Sequence, residues 1–157
     1  MKTFSPKSQY QHQLAQLIKV LTGRHKEYYE WLIGRAIVNE LTNMESIFTK
    51  EELDIFKKYK IEKKACFQNA YKLVTHNPKR ITYIEGILMY GGVQIEHAWC
   101  KIDDKYFDPT AYYCFGKTTL GDEYNEIIEL NDMDLYKFSA LTGVYGPYIV
   151  EYYQEII

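Results

Sequence analysis

Three residues near the middle of the chain are of types that can share nucleophilic chemistry: Cys66, His97 and Asp108. Two of them lie in "EHAWCKIDDKYFDPT", residues 96–110, which reads as a short β-hairpin around "DDK". Side chains alternate along a strand, so Val93, Ile95, His97 and Trp99 share one face. That face is mostly apolar, which aims His97 at the core layer. A two-residue turn at Asp103-Asp104 sets Ile102 opposite Lys105, Trp99 opposite Asp108 and His97 opposite Thr110. Asp108 is then a diagonal neighbour of His97, within side-chain reach. A three-residue loop would slip the register by one and send Asp108 to the other face.

An Asp beside a His accepts a hydrogen bond from one ring nitrogen, fixes the tautomer and stabilises the imidazolium. The other nitrogen is then free to exchange a proton with a nucleophile. Cys66 is the candidate, because "KKACFQNAYKLVTHNP" places it in the first turn of an expected helix. A helix N-terminus and a nearby imidazolium both favour a thiolate. Each residue alone has a plainer role: a packing cysteine, a core histidine, an Asp-Pro turn. Their joint order is what points to chemistry.

These residues need an element each to hold them. Ala65, Cys66, Ala70, Tyr71 and Val74 form one helical stripe, which "NP" at 77–78 stops. Strand-like runs follow: "RITYIEGILMY", "VQIEHAWCKI" and "KYFDPT", with Gly91-Gly92 as the first turn. "NEIIEL" reads as a further strand and "DMDLYKFSALTG" as a helix ending on Gly143. The tail "GPYIVEYYQEII" is rich in β-branched and aromatic residues, which favours a strand. Upstream, Leu14, Leu17, Ile18 and Leu21 predict a helix closing on Gly23, and Trp31, Ile33, Ile37 and Leu41 a second. Thr49 and Glu52 have the spacing of a capping box. The expected fold class is α+β: N-terminal helices over 1–62, a candidate catalytic core at 63–115 and a C-terminal completion at 116–157, within one domain.

Composition narrows the partners. Hydrophobic residues make up 46% and charged residues 25% of 157 residues, ordinary for a globular chain with a real core. The formal net charge of −2 gives no global attraction to nucleic acid or anionic membrane. Five lysines between Lys57 and Lys64 are read by default as a solvated helix end or loop, with a small anion-binding patch as the other reading. The 16 tyrosines are expected mostly as half-buried amphipathic packing. "MKTFSPKSQYQHQ" has no apolar signal-peptide segment, and no run has the length of a membrane span. Three widely spaced cysteines do not make a disulfide framework. A cytoplasmic protein with reduced thiols is expected.

"HAW" followed after a short turn by "DPT" resembles the signature of the transglutaminase-like branch of the papain-like cysteine enzymes. The chain order Cys66, His97, Asp108 matches that superfamily over roughly residues 64–115. The resemblance departs at the short Cys66–His97 segment and at "KACFQNAY", which lacks a Gly-rich approach to the Cys. It implies a papain-like or transglutaminase-like domain and a thiol hydrolase or acyltransferase, working through a thioester. His97 would act as base and then acid, with Asp108 as its orienter. The Cys66 N–H would be one oxyanion donor, Gln68 or Asn69 a second, and Trp99 a wall against water. No cofactor is implied, and the expected partner is a protein or peptide. Rival readings are an inactive binding module that keeps the fold, a zinc site on His97 with Cys66, Cys100 or Cys114, and, last, nucleic-acid binding. The "HAWC" spacing opposes zinc, since residues three apart on a strand face opposite ways.

Overall fold

A computed structural model describes residues 6–157. The chain begins with α1 (Gln9–Ile18), capped by the Ser8 hydroxyl, and α2 (Gly23–Arg35). β1 (Ile37–Asn39) and a 3-10 turn (Met44–Ser46) lead to α3 (Lys50–Lys57), which opens with the Thr49–Glu52 capping box. Then come α4 (Cys66–His76), β2 (Ile81–Tyr90), β3 (Val93–Ile102) and β4 (Lys105–Phe107). α5 (Pro109–Phe115), β5 (Glu123–Leu130), α6 (Asp132–Thr142) and α7 (Ile149–Ile156) complete the chain. The architecture is α+β.

The antiparallel sheet has the order β1-β5-β2-β3-β4. It curls until its ends meet: Leu41, just past β1, bridges Tyr106 of β4, and Thr42 N–H donates to the Tyr106 carbonyl at 2.7 Å. The two faces therefore bury different clusters. Tyr83, Ala98, Cys100, Phe107 and Ile128 pack under the helices, where α4 contributes Ala70, Leu73 and Val74. Ile84, Leu88, Trp99 and Tyr124 form a smaller cluster on the face enclosed by the curl. Gly86 pairs with His97 on one side and Glu126 on the other, at a register shift in the β2–β5 ladder. A Cβ there would lie 1.8 Å from the Asn125 carbonyl oxygen, so only glycine allows this approach.

Several elements differ from the sequence expectation. α1 stops at Ile18, and Gly23 begins α2 instead of closing α1. α2 ends at Arg35, so the region 1–62 is not wholly helical: Ile37–Asn39 pair with β5. Tertiary contacts decide this, because Arg35 Nε donates to the Ile127 carbonyl at 2.8 Å and its guanidinium lies over the Trp31 and Tyr152 rings. The "KYFDPT" strand ends at Phe107; Asp108 caps α5, and Thr110 lies in that helix and not opposite His97.

The tail is a helix, not a strand. Ile149, Tyr152, Tyr153 and Ile156 have helical spacing, and Tyr153 packs on Tyr28 and Trp31 with centroids 4.9 Å apart. Its first turn is received by a buried carboxyl. Glu85 accepts Tyr148 N–H at 2.7 Å, Ile149 N–H at 2.9 Å and the Tyr83 hydroxyl at 2.5 Å.

Burial pushes the Glu85 carboxyl up to about 7, although the Tyr83, Tyr148 and Ile149 bonds oppose it. A raised folded value means that this group's stabilising contribution is fully present below its ordinary value near 4.5. It is lost as pH rises through about 7. Glu85→Ala should therefore destabilise by roughly 2–3 kcal/mol at pH 5, as expected for a broken buried network. The gap to the wild type should narrow by pH 8. Urea unfolding at both pH values measures it; an equal gap at both would show that Glu85 does not titrate in this range.

Candidate active site

The hairpin register follows the expectation at its closed end. Ile102 pairs with Lys105, Lys101 with Tyr106 and Cys100 with Phe107, across a two-residue turn whose Asp103 has φ 53. Continuing that register puts Asp108 beside Trp99 and on the His97 face. The chain leaves the sheet there because Pro109 takes the first helical position of α5, where its missing N–H costs nothing.

Asp108 is 1% exposed and uses both carboxylate oxygens. Oδ1 caps α5, accepting Thr110 N–H at 3.0 Å and Ala111 N–H at 3.1 Å. Oδ2 lies 2.7 Å from His97 Nε2 and accepts the Tyr124 hydroxyl at 2.7 Å. The Tyr124 oxygen in turn accepts Leu120 N–H at 2.8 Å. With Nε2 engaged, Nδ1 is the nitrogen left to exchange a proton.

His97 is 4% exposed. Burial alone would lower its pKa, but the charge and hydrogen bond of Asp108, helped by the adjacent Cys66 sulfur, push it up to about 10. The ring is therefore an imidazolium at neutral pH, paired with a carboxylate so that the buried charges balance. No hydrogen bond of ordinary geometry joins it to Cys66.

Cys66 is the first residue of α4 and is partly exposed. Ala65 precedes it at the N-cap and offers no side-chain acceptor, so the helix starts uncapped. The N–H groups of Cys66, Phe67 and Gln68 therefore have no acceptor within the helix, which leaves a cluster of donors at the thiol. Gln68 is half-buried and its side chain makes no hydrogen bond among the described residues, so it can turn toward a ligand.

The other two expected site residues are committed elsewhere. Asn69 is fully buried: its Oδ1 accepts Glu62 N–H at 3.0 Å, and its Nδ2 donates to the Glu62 carbonyl at 2.8 Å and to Thr110 Oγ1 at 2.9 Å. No hydrogen is left for an oxyanion. Trp99 is also fully buried. It lies under His97 with centroids 6.1 Å apart and donates to Asn39 Oδ1 at 3.0 Å, so it shields the ion pair from behind rather than touching a substrate. Tyr124 is a further member of the group that local spacing does not reveal. It stands just before the "NEIIEL" run, and nothing in one sequence ties that strand to Asp108.

Cys100 and Cys114 lie apart from this group, with sulfurs 4.0 Å from the Ala70 and Ile61 carbonyls. Among the described residues, no three His, Cys, Asp or Glu side chains converge as metal ligands, and no helix is long and apolar enough to cross a membrane. A cavity of about 500 Å³ lies between α2 and α7 and another of about 510 Å³ beside β1 and Tyr124. Neither is lined by Cys66 or His97.

Asp108→Asn should keep the cap, since Asn caps as well as Asp, but present an N–H₂ to Nε2 and release the ring's charge. A raised His97 value gives stability that is fully present below about 6.5 and lost as pH rises through about 10. Asp108→Asn should flatten that alkaline decline, and Asp108→Ala should be less stable than Asp108→Asn by about 1–2 kcal/mol. Denaturant melts from pH 6 to 10.5 test both; an unchanged alkaline decline in Asp108→Asn would refute the ion pair. No family model, curated protein or solved structure matches this chain.

Proposed function

We propose that the protein is a cysteine-dependent amide hydrolase or acyltransferase of the papain-like, transglutaminase-like kind. The observation that carries this reading is the buried His97 Nε2–Asp108 Oδ2 pair at 2.7 Å, set beside a thiol on an uncapped helix start. Because the imidazole is charged at neutral pH, its part begins as the partner of a thiolate and not as a free base.

The thiolate of Cys66 attacks the amide carbonyl carbon and forms a C–S bond. Negative charge moves to the carbonyl oxygen, which the free N–H groups of the first α4 turn receive. His97 Nδ1–H gives its proton to the leaving nitrogen as the C–N bond breaks. An amine departs and a thioester remains. Water or a second amine then attacks the thioester and returns a proton to the ring, and the C–S bond breaks to restore the thiolate. Asp108 keeps Nε2 protonated throughout, and Tyr124 keeps Asp108 in place. A partly exposed nucleophile at the start of a helix is within reach of a peptide or protein chain.

Iodoacetamide labelling, followed by mass spectrometry at each cysteine, tests this directly. Cys66 should react at pH 6.5 at least about tenfold faster than Cys114, because only a thiolate attacks efficiently. His97→Ala should remove that advantage. Equal rates at Cys66 and Cys114 in the folded protein would defeat the nucleophile assignment.

A further inference from the structure

The lysine-rich segment joining α3 to α4 has more structure than a solvated charge run needs. Lys57, Lys58, Lys60, Lys63 and Lys64 are all exposed. None of the five forms an ion pair among the described residues. The backbone between them is nevertheless fastened. Tyr59 stacks on His76 with centroids 4.4 Å apart, and Ile61 packs against the main core. Lys72 Nζ donates to the Lys60 carbonyl at 3.3 Å. Asn69, one turn along α4 from Cys66, takes both backbone groups of Glu62.

That clamp fixes the next two residues at the nucleophile. Lys63 and Lys64 directly precede Ala65 and Cys66, and Lys64 has φ 61, a left-handed conformation unusual for a residue with a side chain. The Lys63 ammonium lies 5.2 Å from the Phe115 ring centroid. Its charge also reaches the neighbouring thiol of Cys114, where it opposes the rise that burial causes. A chain of net charge −2 thus has two exposed lysines without an ion-pair partner among the described residues two and three positions before Cys66.

We propose that Lys63 and Lys64 select an acidic acyl donor: a peptide segment with Asp or Glu beside the amide that Cys66 attacks. This rests on the reading of Cys66 as the nucleophile. Exposed charges act over a Debye length of about 8 Å at physiological salt, so the selection works mainly by steering approach and weakens as salt rises.

The test compares two pairs of probes on the full chain: iodoacetate against iodoacetamide, and peptidyl chloromethyl ketones with Glu-Glu or Lys-Lys flanks. At low salt the anionic member of each pair should gain roughly fivefold over its counterpart at Cys66, relative to the same ratio for 2-mercaptoethanol, a small neutral thiol outside the field of Lys63 and Lys64. Lys63→Glu with Lys64→Glu should abolish or invert the ratio, and 0.5 M NaCl should flatten it. The ratio is unaffected by a general loss of thiol reactivity in the variant. Fast, His97-dependent labelling without anionic preference overturns the proposal and leaves the nucleophile standing. A preference that survives the double substitution also overturns it, because the charge would then come from His97. Slow labelling of Cys66 by every probe overturns both.

Discussion

One carboxylate organises the centre of this molecule. Asp108 is almost without solvent and meets four donors, two from the α5 backbone, one from His97 and one from Tyr124. A buried carboxylate without such partners would be costly enough to protonate. Here the four donors come from three elements, so satisfying one charge also sets the position of β3, β5 and α5 relative to each other. The imidazolium completes the balance and makes the pair close to neutral as a unit. Removing any one donor leaves the others bound to an under-satisfied charge, which ties these elements together more firmly than apolar contact alone.

α4 shows the opposite choice. A Ser, Thr, Asp or Asn at its N-cap would add about 1 kcal/mol of stability. Ala65 stands there instead, and the helix keeps its first N–H groups uncommitted beside Cys66. The deficit is made up further along. Asn69 binds both the preceding segment and Thr110, and Ala70, Leu73 and Val74 enter the main core. The tightly packed part of the helix begins one turn after its uncapped start.

The local pattern was a good guide where local forces decide. Two-residue alternation placed His97 and Trp99 on one buried face and Cys100 on the other. The Asp103-Asp104 turn gave the right pairing, and Thr49, Gly91-Gly92 and Gly143 punctuate the chain as their chemistry predicts. The structure departs from the local pattern where a distant partner outweighs propensity. Ile37–Asn39 leave a helical pattern because an edge of β5 is there to be paired. The tail's β-branched and aromatic content argued for a strand, yet Ile149, Tyr152, Tyr153 and Ile156 already had the period of a helix, and Glu85 supplies its first turn with acceptors. Asp108 was placed on the correct face, but its capping role depended on reading Pro109 as a start and not an end. Tyr124 and the true work of Asn69 depend on contacts over many residues, which no spacing within one chain encodes.

Gly86, on β2, sits between the strand that carries the histidine and β5, paired with His97 on one and Glu126 on the other. What would obstruct a larger residue there is the Asn125 carbonyl, and a backbone atom cannot swing aside as a side chain can. Even one methyl group would drive β5 away from β2 at the position next to Tyr124. The hydroxyl that steadies Asp108 would be carried off with it. Part of what holds the His97–Asp108 pair is therefore an absence: a missing carbon on a neighbouring strand.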